Sequence, residues 1–209
     1  MIKLEHTNVM NIEAAIRGMR NPMQSWDKSD SRTDEDGGFV LGPEDLKLAR
    51  RLYRAGSDER KYLRQIFVSV DITAPLYWWK EYDTYKVGTV ANSTSTMHKI
   101  HANAFLREDF SCERMTPEAL ACLDQVIAVL EERRQMFVET NDRNAWDDMI
   151  QLLPSSYNQK RTCTLNYENL VNMYFARMRH KLPEWRRFCG WVAGLPYFED
   201  ITVRENLWK

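Results

Sequence analysis

The sequence predicts an α+β domain, a small mixed sheet accompanied by several helices, and three observations carry that expectation. Ile66, Val68, Val70 and Ile72 alternate with Ser69, Asp71 and Thr73, the period of two that marks a strand with one buried face. Leu120, Leu123, Ile127, Leu130 and Phe137 instead recur at helical spacing. Pro43, Pro117 and Pro183 each stand where a first helical turn accepts proline. With 209 residues, 44% of them hydrophobic, the chain can bury the core of a single domain, 1–209, and is too short for two substantial ones.

Taken in order, Ile2, Leu4, Val9 and Met10 predict an opening strand, and the run Asn11 to Met19 a short helix. The segment 27–42 is dense in Asp, Ser and Gly, which favour turns and solvent, and reads as an exposed loop. Glu44 and Asp45 follow Pro43 at the positive end of a helix that Gly56 stops, so a helix is expected over Pro43 to Arg54. The strand Ile66 to Thr73 closes at Ala74-Pro75. Tyr77, Trp78, Trp79 and Tyr82 then form an aromatic helix, read as packing because aromatic rings dominate core burial.

Gly88 to Thr96 is rich in hydroxyls and amides and reads as a loop. Thr116-Pro117-Glu118 opens the longest helix, running to about Val138, and a shorter one follows from Arg143 to Leu152, stopped by Pro154. Arg161 to Leu165 alternates as a strand. Asn166 caps a helix over Tyr167 to Arg179, and a last helix starts near Pro183 with Trp185, Phe188 and Trp191.

Composition removes several functions. Twenty-nine basic and thirty acidic residues leave a formal charge of −1, so no global basic field exists to hold nucleic acid or an anionic membrane surface. No run approaches a membrane span and the first residues lack a secretion-signal layout, which predicts a cytoplasmic protein. Cys112, Cys122, Cys163 and Cys189 are scattered, and His98 with His101 could share a helix face but make only two ligands. No metal is expected.

Two segments together resemble the flavin-dependent thymidylate synthases (ThyX). In that family a strand ends in Ala-Pro, a helix follows, and the signature Arg-His-Arg leads after four residues to Asn-Glu-x-Ser-x-Arg-Tyr. Here the strand ends in Ala74-Pro75, and Asn92-Ser93-Thr94-Ser95-Thr96-Met97-His98 falls where the second half belongs, one residue late. The family also carries a Leu-Pro, a strand, Asn-x-Arg-x-x-x-x-x-Asn on a helix and an arginine one turn on. Leu153-Pro154, Asn166, Asn172 and Arg177 match that pattern.

The resemblance implies a ThyX-like single domain, FAD as cofactor, a nucleotide as ligand, and a homo-oligomer, a tetramer or a dimer, with pockets built between subunits. Carried over position by position, it places the nucleotide near Lys86, Asn92, Ser93, Ser95, His98 and Arg177, and the cofactor near Asn166 and Asn172. The departures are specific. The Arg-His-Arg positions read Tyr85-Lys86-Val87 counted back from Asn92, or Thr84-Tyr85-Lys86 counted forward from Ala74-Pro75, the motif Glu is Ser93, its Arg is Met97, its Tyr is His98, and the helix arginine is Glu168. A guanidinium gives bidentate, permanently charged phosphate contacts that methionine cannot replace, each worth on the order of 1.5–3 kcal/mol.

From the residues alone, Asn92, Ser93 and Ser95 either line a pocket or satisfy a turn, and Asn166 is a helix cap whatever else it does. Asn172 is a mediocre helix former inside a helix, and Arg177, Arg179, His180 and Lys181 complement the negative end of that helix. Lys160 and Arg161 either join the same pocket or face solvent. The leading expectation is a catalytically degenerate ThyX-like protein that senses or sequesters a nucleotide. The alternatives are an active flavin-dependent nucleotide-modifying enzyme, in which Lys86 and His98 replace lost basic groups, and a partner-binding protein on the same fold.

Overall fold

The computed structural model describes residues 2–202. The opening strand and helix are present as β1, Lys3–Met10, and α1, Ile12–Gly18. Between them Asn11 takes a left-handed conformation, and its side-chain amide donates to the Gln65 carbonyl at 2.9 Å. The chain groups into two compact units. Among the described residues the first comprises 2–3, Asp71–Thr84 and Ala91–Thr162, and the second comprises Leu4–Val70, Tyr85–Val90 and 163–202.

The segment 27–42 departs from the expected loop. Although much of it is exposed, it forms a hairpin of β2, Arg32–Thr33, and β3, Phe39–Val40, paired antiparallel with Arg32 opposite Val40. Its acidic and hydroxyl side chains hold defined partners rather than only water. The Asp34 carboxylate accepts the Asp36 and Gly38 amides inside the turn. Asp30 reaches forward and accepts the backbone amides of Glu44 and Asp45 at 2.9 and 3.0 Å, capping α2, Pro43–Ala55, whose own N-cap is Gly42. A Cβ on Gly42 would lie 2.5 Å from the Asp30 backbone, so a larger residue displaces the cap.

Asp45 is fully buried and collects four contacts. Arg20 Nε donates to it at 2.5 Å, the Ser29 and Ser31 hydroxyls at 2.7 and 2.6 Å, and the Ser31 amide at 3.1 Å. α2 turns its other buried side chains, Leu48, Ala49 and Tyr53, toward the core of the second unit and packs against α8, Phe198–Thr202. The short α8 and a 3-10 turn over Lys61–Gln65 carry too few residues to show a period in sequence.

The main sheet has the strand order β1-β4-β6-β5, where β4 is Phe67–Pro75, β5 is Val90–Ser93 and β6 is Asn158–Asn166. The Leu76 amide donates to the Tyr157 carbonyl and the Tyr167 amide to the Ile66 carbonyl, a falling register that makes β4 and β6 antiparallel. On β4 the alternation holds: Val68, Val70, Ile72 and Ala74 are buried while the residues between them are partly open. β5 occupies the middle of the loop expected over Gly88 to Thr96. Every residue of β5 is exposed, and an exposed edge strand lacks the apolar alternation that would reveal it.

In the first unit, α3, Leu76–Tyr82, buries Trp78, Trp79 and Tyr82, whose rings lie 4.9–5.2 Å apart, so this aromatic cluster is packing. α4, Pro117–Thr140, packs along α5, Arg143–Leu152, and Ile100, Phe105, Phe110, Leu123, Leu130 and Met149 form the core between them and the preceding chain. Glu131 fastens that chain: it accepts the Phe105 amide at 3.1 Å and both guanidinium arms of Arg134, which also donates to the His101 carbonyl. Arg134 holds the Glu131 carboxyl down at about 2. In the second unit, α6, Tyr167–Arg177, packs on α7, Pro183–Ala193, and on the 3-10 turn.

Burial by itself would raise the Asp45 carboxyl, but the hydrogen bonds from Ser31, Ser29 and Arg20 outweigh it and hold the group below its ordinary value of 3.8. A carboxylate depressed in the folded state contributes stability in full above its unfolded value and loses it as pH falls through the folded one. Asp45→Asn should therefore cost about 3–5 kcal/mol at neutral pH by leaving Arg20 buried without its counter-charge. Urea titrations of both proteins should show the gap narrowing below about pH 4. A gap that stays constant to pH 2 would exclude this pairing.

Candidate functional site

Four of the eight residues named by the resemblance belong to the second unit: Lys86, Asn166, Asn172 and Arg177. What joins them is the docking of the short segment Tyr85–Val90 onto α6. Asn166 ends β6 and caps α6, accepting the Asn169 amide at 3.0 Å while the Asn169 side chain accepts the Asn166 amide at 3.2 Å. The Asn169 side-chain amide then donates to the Val87 carbonyl at 2.6 Å. Gly88, at φ 76°, lies so close that an added Cβ would sit 3.1 Å from both asparagine side chains.

At the other end of α6, Arg177 is half-buried. Its Nε donates to the Tyr85 hydroxyl at 2.9 Å, and its guanidinium lies over the Tyr85 ring at 5.6 Å and the Trp185 ring at 5.0 Å. An arginine set against two aromatic rings keeps its charge while losing rotamer freedom, the preorganisation that anion binding requires. Lys86 is exposed on the docked segment, and Asn172 is exposed on α6. Cys189 of α7 donates weakly to the Tyr174 carbonyl; burial pushes its thiol up to about 11, so it is no thiolate nucleophile at neutral pH.

The other four residues lie in the first unit. Asn92 and Ser93 are on the exposed strand β5. The Ser95 hydroxyl accepts the Met97 and His98 amides at 3.3 and 2.8 Å, which makes it the pivot of a turn, with His98 exposed beyond it. His98 and His101 do not share a helix: Met97–His101 is a set of turns, and the His101 ring packs at 4.8 Å on Phe137. Among the described residues no group of three or more His, Cys, Asp or Glu side chains could hold a metal ion.

Several cations are committed inside the fold. Glu168, at the helix position where the resemblance places an arginine, is buried, and its Oε1 takes both Nε and Nη2 of Arg60 at 3.2 and 2.9 Å. Arg161 donates to Asp83 at 2.7 Å and lies 4.1 Å over the Trp79 ring, and Lys160 pairs with Asp71 at 2.9 Å. Arg60 and Glu168 are 108 positions apart in sequence, so no local pattern could reveal their pairing.

Comparison with known proteins gives a structural answer alone. No family model matches the chain, and no curated protein sequence matches it. The fold is that of thymidylate synthase X. The crystal structure of that enzyme from Helicobacter pylori with FAD and dUMP superposes with a TM-score of 0.69 at 17% identity, covering 96% of each chain. A second structure of the flavin-dependent enzyme from the same organism, also complexed with FAD and dUMP, gives 0.65 at 17% identity over 95% of each chain.

Gly88→Ala tests the docking of Tyr85–Val90 on α6. An alanine forced into the left-handed region and against both capping asparagines should lower stability by about 1–2 kcal/mol in urea denaturation. Unchanged stability would show that the segment does not rest on the cap.

Proposed function

We propose that this chain binds a nucleotide through its phosphate without carrying out the flavin chemistry of its structural neighbours. The observation that carries the reading is Arg177, a half-buried guanidinium set against Tyr85 and Trp185 at the end of the helix that Asn166 caps. The likeness to an enzyme seen with FAD and dUMP supplies the ligand class. Lys86, Asn92, Ser93, Ser95 and His98 are the remaining nucleotide contacts on this reading, and a homo-oligomer, tetramer or dimer, is the assembly in which they serve.

The groups present fit FAD poorly. At the positions matching Arg-His-Arg, the Tyr85 hydroxyl is taken by Arg177, the Val87 carbonyl by Asn169, and Lys86 is the one cation of the segment. Asn166, assigned to the cofactor by resemblance, spends its side chain on the α6 cap. Glu168 turns a carboxylate toward Arg60, where an arginine would have offered phosphate a partner. These substitutions support a binding protein over a catalyst. The flavin-enzyme reading is favoured by one observation, the FAD and dUMP held by the structural neighbours.

Purified protein should be colourless, and dUMP at about 100 times its dissociation constant should add about 2.7 kcal/mol of stability, read as a rise in melting temperature. Arg177→Ala, measured against its own ligand-free melting point, should lose that rise. Absorbance near 450 nm with released FAD would install the enzyme reading, and a rise undiminished in Arg177→Ala would remove this residue from the phosphate.

A further inference from the structure

The second unit holds a strongly basic cavity of about 500 Å³ that contains none of the residues assigned above. Its wall carries Arg20, Lys28, Lys47, Arg51 and Arg54 against one carboxylate, Glu44, with Met23, Ser25 and Leu48 completing it. We propose that this cavity is a binding site for a small polyphosphate, inorganic or carried on a nucleoside.

Charge spacing on α2 is the first support. Lys47 and Arg51 stand at i and i+4, so both project from one face of the helix, where like charges repel. The Lys47–Glu44 contact is long, 3.9 Å, and solvent-exposed, too weak to offset that repulsion. Arg51 Nη2 rests 3.1 Å from the Met23 thioether, an acceptor far poorer than a phosphate oxygen. An anion in the cavity would relieve the repulsion and supply the missing acceptor at once.

Arg20 gives the second, independent support. Its side chain is only 4% exposed, with Nε on Asp45 and Nη1 within 3.2 Å of the Ser25 carbonyl, yet Nη2 has no hydrogen-bond partner among the described residues. A buried guanidinium arm left unmet is expensive, and this one belongs to a residue on the cavity wall. Asp45 balances the charge of Arg20, so the positive potential of the cavity rests on the outer cations Lys28, Lys47 and Arg51. Orthophosphate would engage two or three of them, whereas a chain of phosphates spans the row along α2.

The test is isothermal titration of the full chain with sodium tripolyphosphate, with sodium chloride at equal ionic strength as the control. Arg51 and Lys47 are exposed, so Arg51→Ala and Lys47→Ala should fold normally. Each should weaken tripolyphosphate at least about tenfold, the worth of one charge-assisted contact. Arg177→Ala should leave it unchanged, which separates this site from the nucleotide reading. A nucleoside triphosphate that binds more tightly than tripolyphosphate assigns the site to nucleotides, and equal affinity assigns it to the phosphate chain alone. Heat no greater than in the salt control, or binding that neither α2 variant weakens, would overturn the proposal.

Discussion

The second unit depends on one buried carboxylate. Asp45 lies in the first turn of α2 without exposure to water, a position that would expel its charge were it not given four hydrogen bonds, one of them from a guanidinium. Satisfying it draws Ser29 and Ser31 inward, which brings Asp30 onto the bare N-terminus of α2 and sets the hairpin β2–β3 where Phe39 meets Tyr197 edge-on at 6.1 Å. The Tyr197 hydroxyl closes the arrangement by donating to the Phe39 carbonyl at 2.6 Å. Because Arg20 is committed to Asp45 through Nε, its Nη1 is left to the Ser25 carbonyl, while the residue also stands on the wall of the basic cavity.

The same economy governs α6. Its cap is a pair of asparagines that satisfy each other, and the spare amide of Asn169 fixes Val87. Tyr85 at the start of that segment then meets Arg177 at the end of the helix, so one short stretch is held near both ends of α6. Only a glycine at 88 allows it to lie so close. Groups that could bind ligand and groups that hold the fold are here partly the same atoms, which is why the matches in identity at Asn166 and Arg177 carry different weight. The Asn166 side-chain oxygen is taken by its helix cap, and the Arg177 guanidinium is held by the Tyr85 hydroxyl and the Trp185 ring.

In the first unit the constraint is again an acid taking more than one role. Glu131 binds Arg134 one turn on, accepts the Phe105 amide and thereby closes the turns after Met97 against α4, over a core centred on Leu130 and Met149. The Trp146 indole donates to the Met97 carbonyl at 3.1 Å and fixes the other side of those turns. Ser95, His98 and their neighbours are thus presented by a held turn, exposed but not loose.

The sequence by itself determined the elements whose information is local. The alternation of Ile66 to Ile72, the stripe of α4, the start of α2 at Pro43 and the Asn166 cap each depend on a residue and its near neighbours, and each was found where expected. The family layout, from Ala74-Pro75 to the helix ending at Arg177, was likewise legible, and the fold agrees with it along nearly the whole chain. Tertiary structure alone decided the fates of the charged side chains. Whether Asp30 solvates a loop or caps a helix 14 residues away, whether Glu168 faces a ligand or Arg60 across 108 positions, and whether Arg161 reaches solvent or Asp83, depends on partners brought together only by folding. A charge has no period to read, because its energy is set by what lies within a few ångströms in space and not by its place along the chain.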